Sequence, residues 1–144
     1  MSQNLRSAIL LALATTCVTP ASGSVACKKG LAPAEDFACN ANITFAICKL
    51  KAQIAELSGS YDEVSKCIAQ WKKDIKPVYE AAKKKTATNP DASKALKDLY
   101  AYWLASMDAL IPSPGETKGH YEAKLQERDQ GIADRATKLT TEAE

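Results

Sequence analysis

The chain has few of the residues that most often carry catalysis. It contains a single histidine, His120, and no Gly-x-Ser-x-Gly motif. A serine or cysteine nucleophile needs a neighbouring base, which is often histidine, and metal centres with several imidazole ligands need more than one. We therefore predict a non-enzymatic protein with no catalytic residue, no cofactor and no metal site, in which His120 is an exposed surface residue.

The chain also lacks an apolar run long enough to span a bilayer, which takes about 20 residues. Its most apolar run, residues 8–14, follows the charged Arg6 and precedes small residues that end at Ala26. This order is typical of a secretory signal peptide. We predict that residues 1–26 are a signal peptide and that residues 27–144 form a single α-helical domain.

Small residues precede both Ser24 and Cys27, so a signal peptidase has two suitable cleavage sites. An uncleaved membrane anchor and a lipoprotein attached through Cys17 are the alternatives. Cleavage predicts a periplasmic or secreted protein with no membrane span after the signal is removed.

Neither a Cys-x-x-Cys redox motif nor the paired cysteines of a zinc module occur. Four of the five cysteines follow the predicted signal peptide, and an even number in an exported chain indicates two disulfides. Cys48 and Cys67 are almost equidistant from the turn at Gly59, so an antiparallel helical hairpin would place them at the same level. We predict the pair Cys48–Cys67, which leaves Cys27 with Cys39.

No strong excess of one charge is present. Beyond residue 26, 18 basic side chains stand against 17 acidic ones, which argues against a dedicated nucleic-acid binder. The charges are distributed unevenly, with net +6 over residues 66–97 and net −4 over residues 98–144. The triplet Lys83, Lys84 and Lys85 lies in the basic block. We interpret it as a solvated face, with contact to an anionic partner as the alternative.

Strand-like alternation is nearly absent, and apolar residues recur at helical spacing. We predict a small bundle of about four helices, built from a disulfide-linked helical hairpin and two further helices. After a loop over residues 28–40, the first helix is predicted over residues 42–57. Its apolar face is predicted to contain Ile43, Ile47, Leu50, Ile54 and Leu57.

Capping signals mark the next two helices. A capping box at Ser60–Glu63 predicts the start of the second helix. That helix contains Pro77, so we expect a kink or break near residues 73–76. Asn89 followed by Pro90 predicts the start of the third helix.

A second capping box, Ser113–Glu116, predicts that the fourth helix runs from there to about Thr140. This helix is rich in carboxylates, which we interpret as a solvated face. A small hydrolase that uses such carboxylates in pairs is the alternative. The residues concerned are Glu122, Glu127, Asp129 and Asp134.

The few aromatic residues fall mostly on helical apolar faces. Trp71 and Trp103, on the second and third helices, are predicted to be largely buried in one core. Tyr102 points away from Trp103 on a helical wheel, so it either rests on the fourth helix or contacts a partner. We therefore place a candidate interaction surface at Tyr102 and at Lys83, Lys84 and Lys85.

The segment Leu96–Trp103, together with Tyr79 and the two cysteines before it, resembles periplasmic lysozyme-inhibitor domains of the LprI type. The resemblance covers at most residues 48–108, and the cysteine that those domains carry after the tryptophan is absent here. It implies a small, disulfide-bonded helical module that is exported and binds another molecule.

Together these features predict an exported, non-enzymatic binding or interaction module, with an inhibitor-like protein as one form of it. We expect its partner to be a protein or another component of the cell envelope, and not a nucleic acid. A purely structural component of the envelope is the remaining alternative.

Overall fold

Four α-helices make up most of residues 27–144, which are the residues that the computed structural model describes. The predicted signal peptide and Cys17 lie outside the described residues. The helices are α1 (Pro33–Ser58), α2 (Asp62–Thr86), α3 (Pro90–Asp108) and α4 (Lys118–Ala143). No strand occurs in this part of the chain, so the predicted all-α bundle is confirmed.

Short turns connect the helices, so consecutive helices are antiparallel. α1 packs against each of the other three, α2 packs against α3, and α3 packs against α4. None of these four helices is long and apolar enough to cross a membrane. Every helix contributes to one core, whose largest fully buried side chains are Phe37, Phe45, Val64, Ile75, Leu96, Leu99, Trp103, Met107, Leu110, Tyr121, Ile132 and Leu139.

α1 begins well before its predicted start, so most of the predicted loop is in fact helix. Pro33 occupies the first turn, where its missing N–H would have no helical partner in any case. The Glu35 side chain accepts a hydrogen bond at 3.2 Å from the backbone N–H just before the helix. Asn40 and Asn42 fit inside the helix because their side chains donate to carbonyls four residues earlier, at 2.8 and 3.0 Å.

The apolar face predicted for α1 is wrong. Leu50, Ile54 and Leu57 are 59, 58 and 87% exposed. The face of α1 that packs on the bundle is built largely from small side chains. These allow the other three helices, all of which contact α1, to approach it closely. Its buried residues are Ala34, Phe37, Ala38, Ala41, Thr44, Phe45, Cys48, Ala52 and Ala55.

Two disulfides join Cys48 to Cys67 and Cys27 to Cys39, which are the pairs expected from the sequence. The Cα atoms are 5.8 Å apart in the first pair and 5.9 Å apart in the second. The first disulfide links α1 to α2 and holds the Cys48 side of α1 against the bundle. The second ties the segment before α1 to the beginning of that helix.

α2 continues through Pro77, so the predicted break is wrong. A proline removes the hydrogen bond to the carbonyl four residues earlier, which here belongs to Lys73. Both residues are exposed, so water can solvate the freed carbonyl. The capping box at Ser60 is also wrong, because α2 begins after Tyr61 with no side-chain cap.

α3 begins as predicted, because the Asn89 side chain accepts a hydrogen bond from the Ala92 N–H at 3.1 Å. Trp103 on this helix is fully buried, as expected. Trp71 on α2 is only half-buried, which corrects the prediction, although it packs against the same core.

α4 begins at Lys118, later than predicted, with the Thr117 side chain accepting from the His120 N–H at 3.4 Å. The predicted capping box forms a turn instead, in which the Glu116 N–H donates to the Ser113 carbonyl at 3.0 Å. Gly115 takes a φ of +80° in this turn, a conformation that glycine adopts without steric cost.

Candidate functional site

The side of α1 that faces away from the bundle carries a continuous apolar stripe. The α1 stripe consists of Ile43, Ile47, Leu50, Ile54 and Leu57. Steps of three and four residues place them along one side of the helix, over about 21 Å. Leu50, Ile54 and Leu57 are largely exposed, whereas Ile43 and Ile47 are half-buried and Ile47 also packs against the core. Contiguous exposed apolar surface, unlike scattered single residues, marks interaction sites.

A groove between α1 and α4 borders this stripe. Gln53 connects the two features, because it lines the groove and lies one helical turn from Leu50 and from Leu57 of the stripe. The groove has a volume of about 400 Å³, and Leu125 of α4 is its most buried lining residue, at 4% exposure. The α1/α4 groove is lined by Lys49, Gln53, Glu56, Glu122, Leu125, Gln126 and Asp129.

The α1/α4 groove carries a negative charge. Its one cation, Lys49, is paired with Asp129 across the two helices. Glu122 pairs with Lys118 at 3.7 Å, but both side chains are more than half exposed. Glu56 makes no ion pair with any residue of the described chain. Two carboxylates of the groove are therefore available to a cation.

Two tyrosines near Glu56, Tyr61 and Tyr121, have raised pKa values. Burial raises the pKa of Tyr61, and the negative charge of Glu56 raises it further. Burial also raises the pKa of Tyr121, with smaller effects from Tyr61 and Glu56. The Tyr121 hydroxyl donates to the Leu110 carbonyl at 2.6 Å. Both phenols stay neutral at physiological pH, so they add no charge to this end of the groove.

The opposite border of the α1 stripe, toward α2, is internally paired. Glu63 accepts from Lys66 at 2.8 Å and lies 3.8 Å from Lys51 of α1. The hydrogen bond from Lys66 is the main cause that lowers the pKa of Glu63. Glu63 at the α2 border is therefore already paired, in contrast to Glu56 of the α1/α4 groove.

Tyr102, the aromatic member of the predicted interaction surface, rests on α4. Its ring contacts the guanidinium groups of Arg128 and Arg135, whose central carbons are 5.1 and 3.8 Å from the ring centroid. Gly131 leaves room for the ring, because a Cβ at that position would collide with it. The phenol donates to the Glu127 carbonyl at 3.4 Å. The exposed part of Tyr102 is thus limited by α4.

The structure does not bring the lysine triplet together with Tyr102. Lys83, Lys84 and Lys85 are exposed in the last turn of α2, where cations favour the negative end of the helix dipole. Lys85 borders a cavity of about 400 Å³ at that end of the bundle. Tyr102 lies more than three turns along α3 from that end.

The α4 carboxylates do not form one cluster. Glu122 and Asp129 line the α1/α4 groove, whereas Glu127 and Asp134 lie beside Tyr102 on another side of the helix. Asp134 accepts from Gln130 at 2.7 Å. Residues 27–144 contain no group of three histidine, cysteine, aspartate or glutamate side chains arranged to hold a metal ion.

His120 is exposed, as expected, and belongs to a hydrogen-bonded cluster that stabilises the turn before α4. Its Nδ1 lies 2.8 Å from the carboxylate of Glu116, whose side chain is only 6% exposed. Lys124 donates to the same carboxylate at 2.6 Å, and the Ser113 N–H donates to it at 3.0 Å. The hydrogen bond from Lys124 is the main cause that lowers the pKa of Glu116 to about 2.

The chain matches no protein-family profile, no curated protein and no solved structure.

Proposed function

We propose that this protein is an exported, non-enzymatic binding module that docks a partner protein on the α1 stripe. The observation that carries the proposal is the exposure of Leu50, Ile54 and Leu57 along one side of α1. Fully burying one such side chain is worth about 1.5–3 kcal/mol. A partner that covers the stripe gains this energy, which the folded chain alone leaves unused.

The packing of α1 supports a role for the stripe outside the core. The other side of α1 already meets the bundle through alanines, through Phe37 and Phe45, and through the disulfide at Cys48. The exposed members of the stripe, Leu50, Ile54 and Leu57, are therefore not needed to fill the interior.

The disulfides support an oxidising compartment, because such bonds persist outside the reducing cytosol. The signal-like pattern of residues 1–26 points to the same destination, periplasmic or extracellular. N-terminal sequencing of the exported protein should give a first residue between Ser22 and Cys27. A chain that still begins at Met1 would contradict the export part of the proposal.

Site-specific photocrosslinking in cells of the source organism tests the docking surface. A photoreactive amino acid at Leu57 should give a defined protein adduct under ultraviolet light, identified by mass spectrometry. The control carries the same amino acid at Lys97, an exposed position on α3. We expect no such adduct from the control, and a weaker adduct from the Leu57 probe when Ile54→Ser is added.

The absence of an adduct specific to Leu57 would contradict the proposal. The same set of adducts from both positions would also contradict it, because it would indicate random collisions and not a docking surface.

A further inference from the structure

We infer that the partner presents a cationic amphipathic helix, which lies along the α1 stripe and directs its lysines or arginines into the α1/α4 groove. This inference rests on the proposed function and adds the chemistry of the partner.

The shape of the surface favours a helix. The α1 stripe offers side chains at steps of three and four residues, and a second helix with the same spacing places its apolar residues between them. The stripe runs about 21 Å, which corresponds to about 14 residues of helix. The α1/α4 groove lies parallel to it, so both features can be covered by one rod-like partner.

The charges select a cationic helix. Glu56 has no ion-pair partner among residues 27–144, and Glu122 has only the long contact to Lys118. An exposed pair of that kind contributes little, so a cation from the partner can replace it. A polar residue at the edge of the partner's apolar face would reach into the groove beside Gln53. A lysine or arginine at that place meets a carboxylate, whereas a glutamate would be repelled.

A second copy of this chain is a poorer occupant. It would supply an identical apolar stripe, bordered by the same acidic α1/α4 groove and by lysines that each already contact a carboxylate, Lys49 at Asp129 and both Lys51 and Lys66 at Glu63. Stripe against stripe, it therefore complements Glu56 and Glu122 less well than a helix that carries unpaired lysines or arginines. An anionic lipid surface is also disfavoured, because such surfaces attract basic segments, and the groove is acidic.

Two synthetic helical peptides of 18 residues provide the test. One has leucine at helical spacing on one face and lysine elsewhere, and the other replaces each lysine by glutamate. Fluorescence anisotropy measures their binding to the full disulfide-bonded protein. We expect saturable binding of the lysine peptide and none of the glutamate peptide.

Variants of residues outside the core locate the contact without threatening the fold. Leu57→Ser should weaken binding of the lysine peptide about tenfold, because losing about 1.4 kcal/mol of apolar contact raises the dissociation constant by that factor. Ile111→Ser, at an apolar residue 40% exposed outside the stripe, should leave binding unchanged. The double variant Glu56→Lys/Glu122→Lys should also weaken binding by at least about tenfold, because two attractions become repulsions.

The control for charge is Glu127→Lys/Asp134→Lys, which makes the same change on another side of α4. Equal losses in the two double variants would overturn the inference, because they would show attraction to net charge alone. Binding of both peptides, or of neither, would overturn it as well. A dimer in sedimentation velocity that Leu57→Ser dissociates would assign the stripe to a second copy.

The outcomes separate the inference from the proposed function. If the peptides fail but the Leu57 photocrosslink still gives a specific protein, the docking surface stands and the cationic helix is wrong. If the photocrosslink gives no specific protein, the proposed function itself is wrong.

Discussion

The indole Nε1 of Trp103 donates a hydrogen bond to the hydroxyl oxygen of Thr44 at 3.1 Å, inside the core. Trp103 has no exposed surface and Thr44 has 1%. The same hydroxyl donates to the Asn40 carbonyl at 2.7 Å. This chain of bonds joins α3 to the middle of α1 and satisfies the polar atom of the largest buried side chain.

Thr44→Val should lower the free energy of unfolding by about 1–3 kcal/mol, because it leaves the indole N–H buried without an acceptor. Thr44→Ser retains the hydroxyl and should lose less. Urea denaturation of the two variants measures the difference. A valine variant as stable as the serine variant would show that the hydrogen bond contributes nothing to stability.

The rotation of α1 gives a second prediction. Ala41→Leu should destabilise the fold by about 1–3 kcal/mol, because the alanine is fully buried and a larger side chain overpacks the contact. Leu57→Ser should change the stability by less than about 0.5 kcal/mol, because Leu57 is 87% exposed. Thermal melts rank the two variants, and the opposite order would mean that α1 faces the bundle with its stripe.

The sequence pattern identified the residues of the α1 stripe. The prediction that this side of α1 faces the core was wrong, because most of the stripe is exposed to solvent. Large aliphatic residues dominate any apolar pattern, whereas a packed face of alanines leaves a weak one. A second signal was available. On a helix of 3.6 residues per turn, Cys48 lies about 140° around the axis from Ile43. The predicted disulfide at Cys48 and the predicted apolar face could not both point into the bundle.

Helix starts were predictable from the sequence where the neighbouring residues favoured the same N-cap. Asn89 caps α3 because Pro90 suits the first helical position and the Asn89 side chain accepts from the Ala92 N–H. The capping box at Ser113–Glu116 failed because Gly115 favours a turn and Thr117 offers a later cap. The α1/α4 groove depends on the packing of distant segments, so no local pattern in the sequence could locate it.

The disulfide between α1 and α2 should contribute substantially to stability. Cys48→Ala/Cys67→Ala should lower the free energy of unfolding by about 3 kcal/mol, the loop-entropy value for a closure of this length. Guanidinium denaturation of the oxidised parent and the double variant measures it. Peptide mapping without reduction should find Cys48 joined to Cys67, and a link from Cys27 to Cys67 would contradict the hairpin.

Glu116 makes the stability depend on pH in the acidic range. Its pKa is lowered to about 2, chiefly by Lys124, so its contribution is complete above the ordinary glutamate pKa of about 4.5. The contribution is then lost as the pH falls from about 4.5 through 2. Glu116→Gln should therefore reduce the loss of stability over that range.

Urea midpoints at pH 6, 4 and 2.5 measure this effect of Glu116. Glu127→Gln, at an exposed position of α4, controls for the removal of one carboxylate. An acid transition of the Glu116 variant that matches the parent would show that the cluster with Lys124 and Ser113 does not govern it.

The contact between Tyr102 and Gly131 gives the sharpest test of how α3 meets α4. Glycine inside a helix is normally less stable than alanine by about 0.5–1 kcal/mol. Gly131→Ala should nevertheless destabilise the protein, because its Cβ would collide with the Tyr102 ring. Gly119→Ala on the same helix meets no atom within 4 Å and should be neutral or stabilising.

The sign of the Gly131 effect should reverse when the ring is removed. In a Tyr102→Ala background, Gly131→Ala gains helix propensity with no ring to displace, so it should stabilise the protein by about 0.5–1 kcal/mol. Chemical denaturation of the four members of this double-mutant cycle measures the reversal. A stabilising Gly131→Ala in the parent would mean that Tyr102 does not rest on α4, and its ring would then be free for the partner contact that the sequence suggested.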